Sequence, residues 1–141
     1  MSPETVRRGA LGSTLCVGIG AALLQPFSHV RAADPAPEAV VAAIDQFKRV
    51  CPELFPDLKP KTDTAYRKWA GAHPSVWNQL RERRGYRSEM DRLSGEWRAL
   101  SAGQKSDPGS RQKCEADFLQ LLSRASDPRF VRFAAEYVRK P

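Results

Sequence analysis

From residue 37 onward, apolar residues recur at intervals of three and four, and almost nowhere in strict alternation. In "PEAVVAAIDQFKRVC", Val40, Ile44, Phe47 and Cys51 fall within about 60° of one another at 100° per residue, a narrow helical stripe. Pro37 suits the first turn of this helix, and Pro52 predicts its end. "PELFPDLKPK" has a proline every few residues and reads as an ordered loop, with Leu54, Phe55 and Leu58 available to pin it to a core. Next, Tyr66, Trp69, His73, Val76, Trp77 and Leu80 share one arc. Thr62 or Asp63 is the expected N-cap, and Pro74 either kinks this helix or starts a second one.

Tyr86, Met90, Leu93, Trp97 and Leu100 form another stripe, rotated by roughly 130° from the one before it. A straight helix cannot aim both stripes at one partner. Either the chain turns near Gly85, or one long helix meets different neighbours along its two halves. "SAGQKSDPGS" reads as a loop. Ser106-Asp107-Pro108 and Ser126-Asp127-Pro128 are identical tripeptides, each able to cap a helix and supply its N1 proline. Cys114, Phe118, Leu121, Leu122 and Ala125 follow the first. Phe130, Phe133, Ala134, Tyr137 and Val138 follow the second. The pattern predicts an all-α fold, a small bundle of four to five helices.

The first 32 residues have a different character. Arg7 and Arg8 precede 16 uncharged residues, Gly9–Leu24, then Pro26 and the small residues Val30 and Ala32. That order is the order of a secretory signal peptide, with cleavage expected after Ala32. The uncharged run is shorter than the roughly 20 residues of a membrane span. Cys16 follows "STL" and lacks a lipobox leucine. The expected organisation is therefore a cleaved leader, 1–32, and one helical domain, 33–141. The expected compartment is the periplasm or the extracellular medium. Of 23 Lys/Arg and 16 Asp/Glu, 20 and 15 fall after Ala32, a formal charge of +5 for the mature chain.

Export changes the reading of the cysteines. Cys16 leaves with the leader, so Cys51 and Cys114 remain, and an even pair in an oxidising compartment is expected to be bonded. Cys51 is the last residue of its stripe and Cys114 the first of its own. Antiparallel helices bring the two level. Parallel helices would separate them by roughly 18 Å along the axis, beyond the reach of a disulfide. The expected bond closes a loop of about 60 residues, for which chain entropy gives roughly 4 kcal/mol. One histidine, His73, remains beside these two thiols, too few residues for a structural zinc site. No cofactor is expected. His73 itself reads as a partly buried helix-end residue satisfying a backbone group, with a catalytic base or pH sensor as the functional alternative.

"RERRGYRSEMDR", 81–92, holds five arginines among three acids. It reads either as a solvated helix with local pairs, Glu89 and Glu96 on Arg92, or as an anion-facing patch in which Arg81, Arg84 and Arg92 share one side of a continuous helix. Helical spacing puts Trp69, Trp77 and Trp97 on core faces. If one of them meets a partner it is Trp77, beside Arg81 and Arg84, because aromatic residues and arginine are enriched at interfaces. The candidate partner-binding set is thus Trp77, Arg81, Arg84, Arg87 and Arg92. Interleaved acids and export speak against nucleic acid. No nucleophile elbow, metalloprotease helix or phosphate-cradling glycine loop is present. The expectation is a non-catalytic binding protein, inhibitor- or immunity-like, that engages an envelope or secreted protein. The alternative is a structural or stress-related envelope component that contacts lipid or polyanion through its arginines.

Overall fold

Among the described residues the chain forms seven α-helices, α1–α7, and the second, third, fourth and sixth pack against the first. The computed structural model describes residues 35–101 and 108–141, and every regular element among them is helical. The leader, its cleavage site, and the 102–107 connection with Asp107 lie outside the described residues. The all-α expectation and the disulfide are both met.

Helix α1 spans Pro37–Leu54, with Pro37 at N1. Its buried surface exceeds the narrow stripe read from the sequence. Val41 and Ala42 are as inaccessible as Ile44, and Gln46 and Glu38 are buried too. A helix enclosed on several sides needs small or apolar residues beyond one face, and "AVVAA" supplies them. Pro52 does not end α1. It lies inside the last turn, where a missing N–H forfeits only one bond, and the helix closes when the Phe55 amide donates to Cys51 O at 2.8 Å.

The proline-rich stretch is also more helical than a loop. Pro56–Leu58 forms a 3₁₀ turn, and α2 spans Lys59–Ala72 with proline in its first turn. This start lies upstream of the expected cap. Thr62 bonds back to Leu58 O instead, and Asp63 is held by Lys48 and Lys59, each at 2.6 Å. At Pro74 the chain starts a new helix, α3, Pro74–Arg81, after a bend at His73 (φ −144°, ψ 57°). The break leaves carbonyls of the last turn of α2 without helical partners. The Trp77 indole donates to one of them, Trp69 O, at 3.1 Å, while the two indoles stack at 4.8 Å.

The chain turns again at Glu82–Arg83, and α4 spans Arg84–Ser101. This settles the open choice at Gly85 in favour of a turn, and it explains the rotated stripe: α3 and α4 are separate helices with separate aims. α4 packs along α1, with Trp97 edge-on to Phe47 at 5.7 Å.

Helix α5, Pro108–Gln112, runs through a π turn, Lys113–Asp117, into α6, Phe118–Ala125. Helix α7 spans Pro128–Arg139, with the Asp127 carboxylate accepting from the Arg129 amide at 2.8 Å, as the tripeptide predicts. Cys51 and Cys114 form the disulfide, with their Cα atoms 5.4 Å apart. Phe47 stacks on Phe118 at 5.4 Å, and Ile44 shares a cluster with Leu122. Numbers rise along one helix as they fall along the other, so α1 and the α5–α6 run are antiparallel. The disulfide, Phe55 and Leu58 form a second, smaller apolar cluster next to the main one.

Candidate interaction surface

Two carboxylates inside the bundle decide which polar groups remain available outside it. Asp45, midway along α1, receives four donors. The Tyr66 hydroxyl and Arg81 Nη2 reach Oδ1 at 2.9 and 3.0 Å. The Tyr86 hydroxyl and Arg81 Nε reach Oδ2, both at 2.8 Å. One side chain thus ties α1 to α2, α3 and α4. Burial first, then the Asp45 charge and hydrogen bond, push the Tyr66 phenol up to about 12. The Tyr86 phenol is likewise pushed up to about 12 by burial and by its bond to Asp45.

Glu38, in the first turn of α1, is the second. Its Oε1 accepts from the Tyr137 hydroxyl at 2.8 Å, and its Oε2 is buried without a hydrogen-bond partner among the described residues. It packs against Gly85 at the start of α4, where an added Cβ would lie 2.6 Å from Oε1. Two helix N-termini, each carrying partial positive charge, converge on this carboxylate. Arg83 completes the junction. Its guanidinium lies over the Tyr137 ring at 4.6 Å and donates to Tyr137 O at 3.0 Å and Lys140 O at 2.7 Å. A cation there both satisfies and electrostatically complements the C-terminus of α7.

The candidate set separates accordingly. Trp77 leaves it: the side chain is 1% exposed, sandwiched between Trp69 and Phe130, and presents nothing to a partner. The helical spacing that suggests a core tryptophan is the reading that holds. Arg81 is committed to Asp45. Arg92 is paired within its own helix to Glu89 and Glu96, the solvated-face arrangement. The break at Glu82–Arg83 also removes the continuous helix that would have put Arg81, Arg84 and Arg92 on one side. Arg84 and Arg87 are exposed and carry no ion pair or hydrogen bond among the described residues.

His73 is exposed rather than half-buried, edge-on to Trp77 at 6.0 Å. It sits where α2 gives way to α3, and no acid among the described residues is paired with it. Among the described residues no group of three His, Cys, Asp or Glu side chains could hold a metal ion.

The residue missed in the sequence is Phe133, which is 46% exposed on α7 and 6.1 Å from Tyr137. A helical-wheel reading places it in the apolar stripe, but at its margin, about 100° from Ala134. That offset is the signal that distinguishes it from Phe130. Around it the exposed side chains of α7 include Arg129 and Arg132, neither of them paired with a carboxylate among the described residues. No family model, curated protein or solved structure matches this chain.

Proposed function

We propose that this chain is an exported, disulfide-fastened helical protein that works by binding another protein of the envelope, or an exported or incoming effector, without catalysing a reaction. The observation that carries the reading is how the polar groups are spent. The carboxylate with the most donors, Asp45, has both oxygens committed to holding four helices together. Among the described residues, the groups left exposed without a hydrogen bond or ion pair include the guanidinium side chains of Arg84 and Arg87 and the Phe133 ring, residue types favoured at interfaces, beside scattered acids such as Glu53 and Asp91. The signal-peptide pattern and the disulfide support an oxidising compartment. The alternative, contact with lipid or polyanion through the 81–92 arginines, loses three of its five arginines, Arg81, Arg83 and Arg92, to intramolecular partners and rests on Arg84 and Arg87.

The test is affinity capture. The full-length chain, carrying a C-terminal tag, is expressed in its own host, and the periplasmic fraction is cross-linked and purified. The expected result is a product beginning at Ala33 and one co-purifying protein in a fixed molar ratio. Retention of the tagged chain in the cytoplasm, or recovery with no partner in fixed ratio, overturns the proposal.

A further inference from the structure

Deepening the binding-protein reading, and resting on it, we propose that the flank of α7 bearing Phe133, together with the adjoining first turn of α4, is the docking surface, and that it takes an acidic protein segment. Such a segment would offer an apolar pocket for the Phe133 ring, rimmed by Asp or Glu.

Charge argues for the partner's sign. The stretches 82–87 and 127–140 hold seven Lys/Arg and three Asp/Glu, an excess of +4 in 20 residues, against +5 for the whole of 33–141. The fold joins these stretches. Arg83 grips the C-terminus of α7, and Gly85 and Tyr137 meet the same Glu38 carboxylate. Elsewhere on the surface Lys48, Lys59, Lys61, Arg92 and Arg111 each meet a carboxylate, and cations that do not, such as Arg49, Lys68, Lys113 and Arg124, are spread over α1, α2 and the α5–α6 run. Arg84, Arg87, Arg129 and Arg132, on the two joined stretches, meet none among the described residues. A positive surface unmatched from within is complementary to a negative one and repels a second copy of itself.

Hydrophobicity argues for the partner's class. Phe133 is the exposed large hydrophobic among the described residues. The rest of the apolar stripe of α7 turns inward, with Ala134 fully buried and Phe130 stacked on Trp77 at 6.4 Å. Membrane-surface helices gain affinity from a broad apolar face, which α7 has already spent on the bundle. No described helix is long and apolar enough to cross a membrane. One protruding ring with Arg129 and Arg132 on its flank, and the one acid of α7, Glu136, beside them, suits a pocket with an acidic rim, the geometry of an interface hot spot.

The test uses the mature protein against a displayed library of amphipathic 20-residue helical peptides whose polar faces range from all-acidic to all-basic, with phosphatidylglycerol vesicles alongside. The expected result is enrichment of acidic peptides with an apolar anchor, and weaker binding at higher salt. Phe133→Ser should weaken binding of the enriched peptides about tenfold or more. Arg129→Glu with Arg132→Glu should do the same, while Arg124→Glu on α6 leaves it unchanged. Circular dichroism of each variant confirms the fold. Enrichment without acidic bias, or binding indifferent to Phe133→Ser, overturns this surface while the binding-protein reading stands. Phe133-dependent binding to the vesicles that matches or exceeds peptide binding overturns it in favour of lipid. Failure to enrich any peptide, joined with a failed affinity capture, overturns both.

Discussion

Asp45 shows how much one residue can organise. It accepts two hydrogen bonds from one guanidinium and one from each of two phenols, so its removal orphans donors on three helices at once. Asp45→Asn keeps the shape but leaves Arg81 without its counter-ion. We expect a loss on the order of 2 kcal/mol, read as a lower thermal midpoint. The pH dependence has a definite sign. Tyr66 and Tyr86 are raised from 10.0 to about 12, chiefly by burial and next by Asp45. A raised pKa means that the folded state binds its protons more tightly than the unfolded state. The contribution is therefore complete below pH 10 and is lost as pH climbs from 10 towards 12. Tyr137, the third tyrosine of three, is raised too, by its bond to Glu38. Tyrosinate absorbance should thus lag well behind free tyrosine for the whole protein. In Asp45→Asn two of the three phenols should move back towards ordinary values. A wild-type titration centred near 10 would refute this.

At the scale of elements, the main test lies where α1 and α4 start. Gly85 is inside a helix, where alanine is ordinarily better by about 1 kcal/mol. Here its Cβ would meet Glu38 Oε1 and Cγ at 2.6 and 2.8 Å, and Glu38 cannot swing away without breaking its bond to Tyr137. Packing should win over propensity. Gly85→Ala is expected to destabilise by about 1–3 kcal/mol, with the C-terminal turn of α7 exchanging its amide hydrogens faster than the rest of the core. A more stable Gly85→Ala protein would show that Glu38 yields freely.

The elements were largely legible as periodicity, because each stripe has a real partner: Val40, Ile44 and Cys51 are buried, as are Phe118, Leu122 and Ala125. What periodicity misjudged were the ends. Pro52 and the "PELFPDLKP" prolines look like helix breakers, yet three of the prolines occupy final or first turns, where the missing N–H costs little. The surface was less legible. Arg81 and Arg92 look alike in the sequence, but one is clamped across the bundle and the other along its own helix. Only the position of Asp45 on another helix decides the difference. Phe133 was hidden in the opposite way, as a stripe residue whose partner helix does not reach it.

For the whole molecule, the disulfide is the main covalent constraint. Cys51 and Cys114 are both fully buried and 63 residues apart. Replacing both with serine should lower stability by roughly 4 kcal/mol on the chain-entropy account, seen as a lower urea midpoint. The α1–α6 register, held also by Phe47 on Phe118, should survive in the folded fraction. An unchanged midpoint would mean that the unfolded chain is already compact without the bond.

The bond also divides the chain into two topological classes. Residues 51–114 form a closed ring that contains α2, α3 and α4, and α7 lies outside it. A protease that nicks the backbone once inside the ring leaves both pieces covalently attached, and they migrate as one species until a reductant is added. A nick at the Ser126 junction cuts the covalent link to α7, so under denaturing, non-reducing conditions α7 separates, and with it Phe133, Arg129 and Arg132. The bond thus guards the ring against covalent loss from a single cut but leaves α7, and the docking surface proposed on it, to non-covalent contacts once that junction is cut, among them its packing on Trp77 and its bonds to Glu38 and Arg83.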